Sequence, residues 1–213
     1  MKQDELIETL VDDLRRVQNR PRTGRSLATF LLWSAGSALV FTRGGTSISD
    51  APGGAALSLF VILMTAAAAA IVSSIPGRQA WRVGGVLSLV LLLVWGGGAA
   101  IRAVSVWHVP FALWGPVPWT KCLIFTLAFA VVPTLALIRI VNRGWVVQAG
   151  MTAVLTFTAG AAAGALTISL ECPSHAPLHL LLGHMLPIVC AALIGLLFAR
   201  LLFVRPLVPP LAT

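Results

Sequence analysis

The chain has 213 residues and a formal net charge of +8, with 58% hydrophobic and only 10% charged residues. A soluble domain carries roughly 25% charged residues, and 15 basic plus 7 acidic side chains cannot coat a globule of this size. The composition excludes a soluble enzyme, a disordered regulator and a disulfide-stapled secreted domain, and points to an all-α, multi-pass membrane protein. The basic excess would suggest nucleic acid in a soluble protein, but here the charges fall between apolar runs. Topology explains them better than direct nucleic-acid contact.

The first 25 residues are the only cytoplasmic element of any size that the sequence predicts. Asp4 to Val17 reads as a helix, because Leu6, Ile7, Leu10, Val11, Leu14 and Val17 recur at steps of one, three and four and form one apolar stripe. Asp4 and Glu5 sit at its start, where the helix dipole favours negative charge; Glu8, Asp12 and Asp13 lie off the stripe. Residues 1–14 hold five acids and one Lys, whereas residues 15–25 hold five Arg and no acid. Pro21 and Gly24 stop the helix. The five acids argue against a cleaved signal peptide, and the basic half suits an anionic inner leaflet. A helix this short needs a surface for its stripe, and its net negative charge turns it away from anionic lipid. It can dock on the protein's own loops or in the basic, apolar groove of a partner; the shortness of those loops favours the partner.

Each membrane crossing needs roughly 20 apolar residues. Six such stretches follow, at about 26–42, 54–75, 83–101, 122–138, 146–170 and 179–204, so the membrane domain is expected to cover 26–204, with 205–213 a short tail. Gly- and Pro-rich breaks separate them, including Pro76-Gly77-Arg78 and Asn142-Arg143-Gly144. Six spans put both termini on one side, and the basic residues then divide twelve on that side against Arg43, Arg102 and Lys121 on the other. The positive-inside rule places both termini in the cytoplasm. Glu171 and Arg102 lie at span ends, and no charge lies within an apolar interior, which counts against a proton-driven transporter. Gly96-Gly97-Gly98 and the run Gly160 to Gly164 offer close helix approach, within one chain or between two, and oligomeric state stays open. Pro133 and Pro187 are expected to kink their helices.

All four His and two of the three Cys fall on the outer side or at outer helix ends. Cys122 opens the fourth span and Cys172 closes the fifth; His108 lies in the third connection, and His175, His179 and His184 follow Cys172. The placement allows either a disulfide between Cys122 and Cys172 or a shared site for a soft metal, drawn from Cys122, Cys172, His175, His179 and His184. His175 and His179, four apart, share a face if the helix begins early. No C-x-x-C or H-E-x-x-H is present, so plain packing by these side chains is the competing reading. Cys190, about twelve residues into the last span, reads as inert packing.

The segment Asp4-Glu5-Leu6-Ile7-Glu8-Thr9-Leu10-Val11-Asp12-Asp13-Leu14, the run from Cys122-Leu123-Ile124 to Pro133 and Arg139, and Glu171-Cys172-Pro173 followed by Pro177, His179 and His184 occur in that order. With six spans, this pattern resembles the bacterial negative-regulator-of-sigma-F (NrsF) family of membrane anti-sigma factors, over essentially the whole chain. The resemblance implies no enzymatic activity and no resident cofactor beyond transient soft-metal binding. It also implies an extracytoplasmic-function sigma factor as partner, bound by Asp4, Leu6, Ile7, Glu8, Leu10, Val11, Asp12, Asp13 and Leu14. Cys122 and Cys172 would be the family's outward-facing, signal-sensing pair, read by oxidation or heavy metal. Sigma factors carry basic DNA-facing surfaces, which suits an acidic helix with an apolar stripe. The alternatives are a small membrane redox, metal or haem protein using the outer Cys and His, and a transporter of small neutral solutes.

Overall fold

The computed structural model describes residues 7, 11, 23–41, 53–75, 81–105, 107–108, 118–144, 146, 148–172, 174 and 176–203. Six helices account for almost all of them: α1 Thr23–Phe41, α2 Gly53–Ser73, α3 Trp81–Ser105, α4 Trp119–Val141, α5 Ala149–Ser169 and α6 Pro177–Phe203. There is no strand among the described residues. Each predicted apolar stretch contains one helix. The limits follow local chemistry: Pro118 precedes α4 and Pro177 occupies the first turn of α6, where a missing N–H costs no intrahelical bond. At the far end of α4 the Asn142 and Gly144 amides fold back onto the Ile138 and Val141 carbonyls.

Five helices, α2 to α6, are long and apolar enough to cross a membrane. α1 is not among them. Its first turns carry Arg25, Ser26 and Thr29, with Ser34 following, and the Thr29 and Ser34 hydroxyls bond the carbonyls four residues back. It packs on α4 and α2.

The bundle is built around α5, where 78% of the residues in its most apolar stretch are buried, whereas only 17% are buried along Arg82–Ser105 of α3. α5 packs against α2, α4 and α6, and small side chains let it do so. A Cβ at Gly160 would meet the Thr134 side chain, and one at Gly164 would meet the Thr126 carbonyl and, at 2.9 Å, the Ala130 amide nitrogen. The small-residue run of α5 is therefore used within one chain, against α4. The run in α3 is not a contact surface throughout: a Cβ at Gly96 would meet Met185, but one at Gly97 or Gly98 would meet no neighbouring helix or side chain within 4 Å. Close approach was expected along that whole run. Only Gly96 provides it, because α3 sits at the edge of the bundle.

Polar bonds tie the helices together at one end of the bundle. Ser73 and Thr152 hydroxyls join the end of α2 to the start of α5 at 2.8 Å, and Asn142 Nδ2 donates to the Leu202 carbonyl at 3.1 Å. The start of α4, the end of α5 and the start of α6 meet at the opposite end. Cys190 lies half-buried along α6.

Candidate functional site

That opposite end holds the two sulfurs and two imidazoles. Cys122 sits in the first turn of α4. Cys172 follows α5 on a turn whose amides at Glu171 and Cys172 both reach back to the Ile168 carbonyl, at 3.1 and 2.9 Å. This turn swings Cys172 back over the helix end, so its sulfur lies 3.6 Å from that of Cys122. The separation is a contact between thiols, and both cysteines are free. Phe129 and Ile168 pack against the pair.

The imidazoles come from α6, and a change in helix type brings them together. Five residues along an α-helix turn the side chain through roughly 140° from its starting direction, so His179 and His184 would point apart in a regular helix. Leu181–Met185 instead adopts π geometry, in which the Leu186 amide bonds the Leu181 carbonyl five residues back. The widened turn places the two rings on one face, with centroids 5.7 Å apart.

Pro187 gives a physical reason for the wide turn. It has no N–H for the Gly183 carbonyl, and its ring would crowd that carbonyl in a tight helix. The freed carbonyl is taken by the Thr126 hydroxyl of α4 at 3.4 Å, the kind of repair a broken helix needs in an apolar medium. Gly183 also has to be small, since a Cβ there would lie 3.2 Å from the Cys122 Cβ and 3.6 Å from His179 Nε2.

The four ligand atoms of Cys122, Cys172, His179 and His184 lie within 4.8 Å of one another. His179 and His184 are completely buried, and both cysteines are buried. Cys172 Sγ lies 3.2 Å from His179 Nε2. The Cys122 thiol donates to Cys172 and is the main influence holding the Cys172 thiol below its usual range; burial pushes the other way, and His179 adds to the lowering.

The protonation of His184 can be read from its neighbour. Ser169 Oγ lies 2.7 Å from the Ala165 carbonyl, an acceptor, so the single hydroxyl proton is committed there. Towards His184 Nδ1, 3.2 Å away, the same oxygen can only accept. Nδ1 therefore carries a proton, which in the neutral ring leaves Nε2 as the lone-pair nitrogen. That buried Nε2 has no hydrogen-bond partner.

Of the residues singled out from sequence, Cys122, Cys172, His179 and His184 converge. His175, expected beside His179, lies outside the described residues; the histidines that the structure brings together are His179 and His184. His108 is in an exposed turn. In the N-terminal arm, Ile7 and Val11 are helical and exposed; Asp4, Leu6, Glu8, Leu10, Asp12, Asp13 and Leu14 lie outside the described residues. Sequence reasoning missed Ser169 and Thr126. A hydroxyl among apolar neighbours at a helix end was their only signal.

Comparison with known proteins gives one result. A family model described as negative regulator of sigma F matches residues 10–204. No curated protein and no solved structure matches the chain.

Proposed function

From the chain's membership in the negative-regulator-of-sigma-F family, we propose that it is an inner-membrane anti-sigma factor with a cytoplasmic arm and an outward-facing cysteine sensor. The family gives it a regulatory, non-enzymatic role with a sigma factor as partner; we assign that partner to the extracytoplasmic-function class. Residues 1–25 are the sigma-binding arm, 26–204 a six-span domain that includes α1, and 205–213 a cytoplasmic tail. The charge asymmetry of the connections supports cytoplasmic termini and an outward-facing cysteine end.

The arm's chemistry supports the partner. An acidic helix with an apolar stripe suits the basic, DNA-facing surface of a sigma factor, with Leu6, Leu10 and Leu14 contributing about 1.5–3 kcal/mol each on full burial. Glu8, Asp12 and Asp13 steer the encounter. Retention at the membrane keeps the sigma factor from core polymerase.

The observation that carries the sensing half is the 3.6 Å contact between two thiols on different helices. A peroxide-class oxidant converts them to a disulfide. One sulfur attacks the peroxide oxygen, the second displaces it, and the thiol protons leave with the reduced oxygens as water or alcohol. The S–S bond is about 2.05 Å long, so the two sulfurs, carried by α4 and the α5–α6 turn, must close by more than an ångström. Interdigitated helices pass such a shift along their length rather than absorb it. Release follows only if the closed form binds the sigma factor more weakly than the open form.

Affinity purification of the tagged full-length protein from its own cells, in mild detergent, tests the assignment. A near-stoichiometric small sigma factor is expected. It should be lost on deletion of residues 1–20 and on Leu10→Asp, with membrane insertion unchanged. Retention of the sigma factor by the Leu10→Asp protein would place the binding surface elsewhere.

A further inference from the structure

We infer that Cys122, Cys172, His179 and His184 form a closed, four-ligand site for a divalent d10 metal ion, zinc or cadmium, with Ser169 orienting one imidazole. The inference deepens the reading of the cysteine pair as a sensor by naming its ligand set.

Three observations carry it. The first is distance. Metal–sulfur bonds of about 2.3 Å and metal–nitrogen bonds of about 2.0–2.1 Å in a tetrahedron give edges of about 3.8 Å between sulfurs and about 3.5 Å between sulfur and nitrogen. The Cys122–Cys172 separation is 3.6 Å and the Cys172–His179 separation is 3.2 Å. All four ligand atoms lie within 4.8 Å of one another, so small side-chain adjustments close a tetrahedron.

The second is the orphaned nitrogen. His184 Nε2 is buried and has no hydrogen-bond partner, and with Nδ1 turned to Ser169 as donor it is the lone-pair nitrogen of the neutral ring. A buried acceptor left unmade costs roughly 1–3 kcal/mol. A metal ion at the cluster turns that cost into a bond. The Nδ1–H to Ser169 contact is the outer-shell hydrogen bond that fixes the tautomer and ring orientation of metal-bound histidines.

The third is charge. Two thiolates neutralise a divalent ion, so the filled site carries no net charge in a region that excludes water. On binding, each cysteine gives up its thiol proton to solvent and each histidine contributes a lone pair. Four protein ligands leave no open position, which marks a structural or regulatory site rather than a catalytic one.

The site also sets the terms of oxidation. A bound ion uses both thiolates and holds the sulfurs at the tetrahedral edge, far beyond a disulfide bond length. Metal and disulfide are therefore mutually exclusive, and a peroxide must expel the ion to make the bond.

Cobalt(II) titration of the purified full-length chain in detergent, metal-free and reduced, tests the site without the sigma factor. One equivalent is expected to bind with the visible bands of tetrahedral cobalt and a thiolate-to-cobalt charge-transfer band. Zinc or cadmium should bleach both, and peroxide should release the metal as the thiols disappear. Ser169→Ala is expected to weaken binding about 10- to 100-fold with helicity retained. His184→Gln should weaken binding and shift the visible bands, as an oxygen ligand takes the place of the imidazole. Absence of a tetrahedral spectrum in the reduced, folded wild type overturns the proposal. So does unchanged affinity in Ser169→Ala, which covers the case of a His184→Gln chain that fails to fold. A failed titration beside intact sigma-factor co-purification would sink this metal site alone; intact cobalt binding without a bound sigma factor would sink the anti-sigma reading alone.

Discussion

α5 and α3 are both apolar helices of similar membrane-crossing character, yet they do opposite jobs. α5 is built from Ala, Gly and Thr, and 78% of the residues in its most apolar stretch are buried; α3 is rich in Leu and Val, and 17% are buried along Arg82–Ser105. In water the larger side chains would seek the interior. In a bilayer they gain nothing by moving from lipid to protein, so close backbone packing decides which helix is central. The small residues of α5 win the centre, and Val104 and Leu197, at 76% and 80% exposure, are left on the outside of the bundle. The sensor end inherits this arrangement, because Cys122, Cys172 and the histidines are carried by α4, α6 and the turn that leaves α5.

The sharpest way to break this contrast is Gly164→Leu. The atoms in its way are backbone atoms of Thr126 and Ala130, which cannot rotate aside. Overpacking of a fitted core costs typically 1–3 kcal/mol and occasionally more, and the upper part of that range is expected here. The measurement is the unfolding midpoint in detergent, together with the yield of folded protein. A midpoint equal to wild type would mean that α4 and α5 do not approach as described. Thr126 lies one turn below Cys122, so the same substitution should also disturb the thiol pair.

The sensor end is tested next by Cys122→Ser with Cys172→Ser. Repression of the sigma factor should remain and induction should be lost, since the arm is untouched and the thiols are gone. Serine is close in size to cysteine, so the unfolding midpoint should move little. Normal induction in the double variant would remove the cysteines from signalling.

The helices were legible because each is a long apolar run bounded by Gly, Pro or charge, and bilayer thickness fixes the length of such runs. Which helix sits in the middle was harder to read. A membrane helix is apolar on every face, so periodicity does not mark the buried side; only the Ala and Gly content of α5 hinted at it. α1 shows the limit from the other direction. Its predicted span became a helix, but Arg25, Ser26, Thr29 and Ser34 leave it outside the group long and apolar enough to cross. At the site, the cysteines were legible from their positions at span ends. The pairing of His179 with His184 was not, because a five-residue spacing does not match an α-helix. Only the π turn before Pro187 makes the pair a unit.

A smaller effect probes that turn. Thr126→Val removes the hydroxyl that meets the Gly183 carbonyl at 3.4 Å and keeps the side-chain shape. Hydrogen bonds between membrane helices average about 0.6 kcal/mol, so the unfolding midpoint should fall only slightly. Local opening should be more visible than global loss: hydrogen exchange at Leu186 and its neighbours is expected to quicken, while exchange in α2 stays as it was. Unchanged exchange at the turn would show that Pro187 alone sets the π geometry.

The smallest effect belongs to the peripheral helix and completes the contrast with Gly164. Gly97→Ala adds a methyl group that meets no neighbouring helix or side chain within 4 Å, so nothing has to move. In a helix interior alanine is favoured over glycine by roughly 0.5–1 kcal/mol through lower backbone entropy in the unfolded chain. Membrane helices are already largely formed before they associate, so most of that gain is absent here. The expected result is a midpoint equal to or slightly above that of wild type, with thiol reactivity at Cys122 and Cys172 unchanged. The contrast is between one glycine that admits a neighbouring helix and another, in an equally apolar run, that faces open space. A clear loss of stability in Gly97→Ala would mean that this part of α3 meets a surface, a second copy of the chain or a bound partner, that covers it in the membrane.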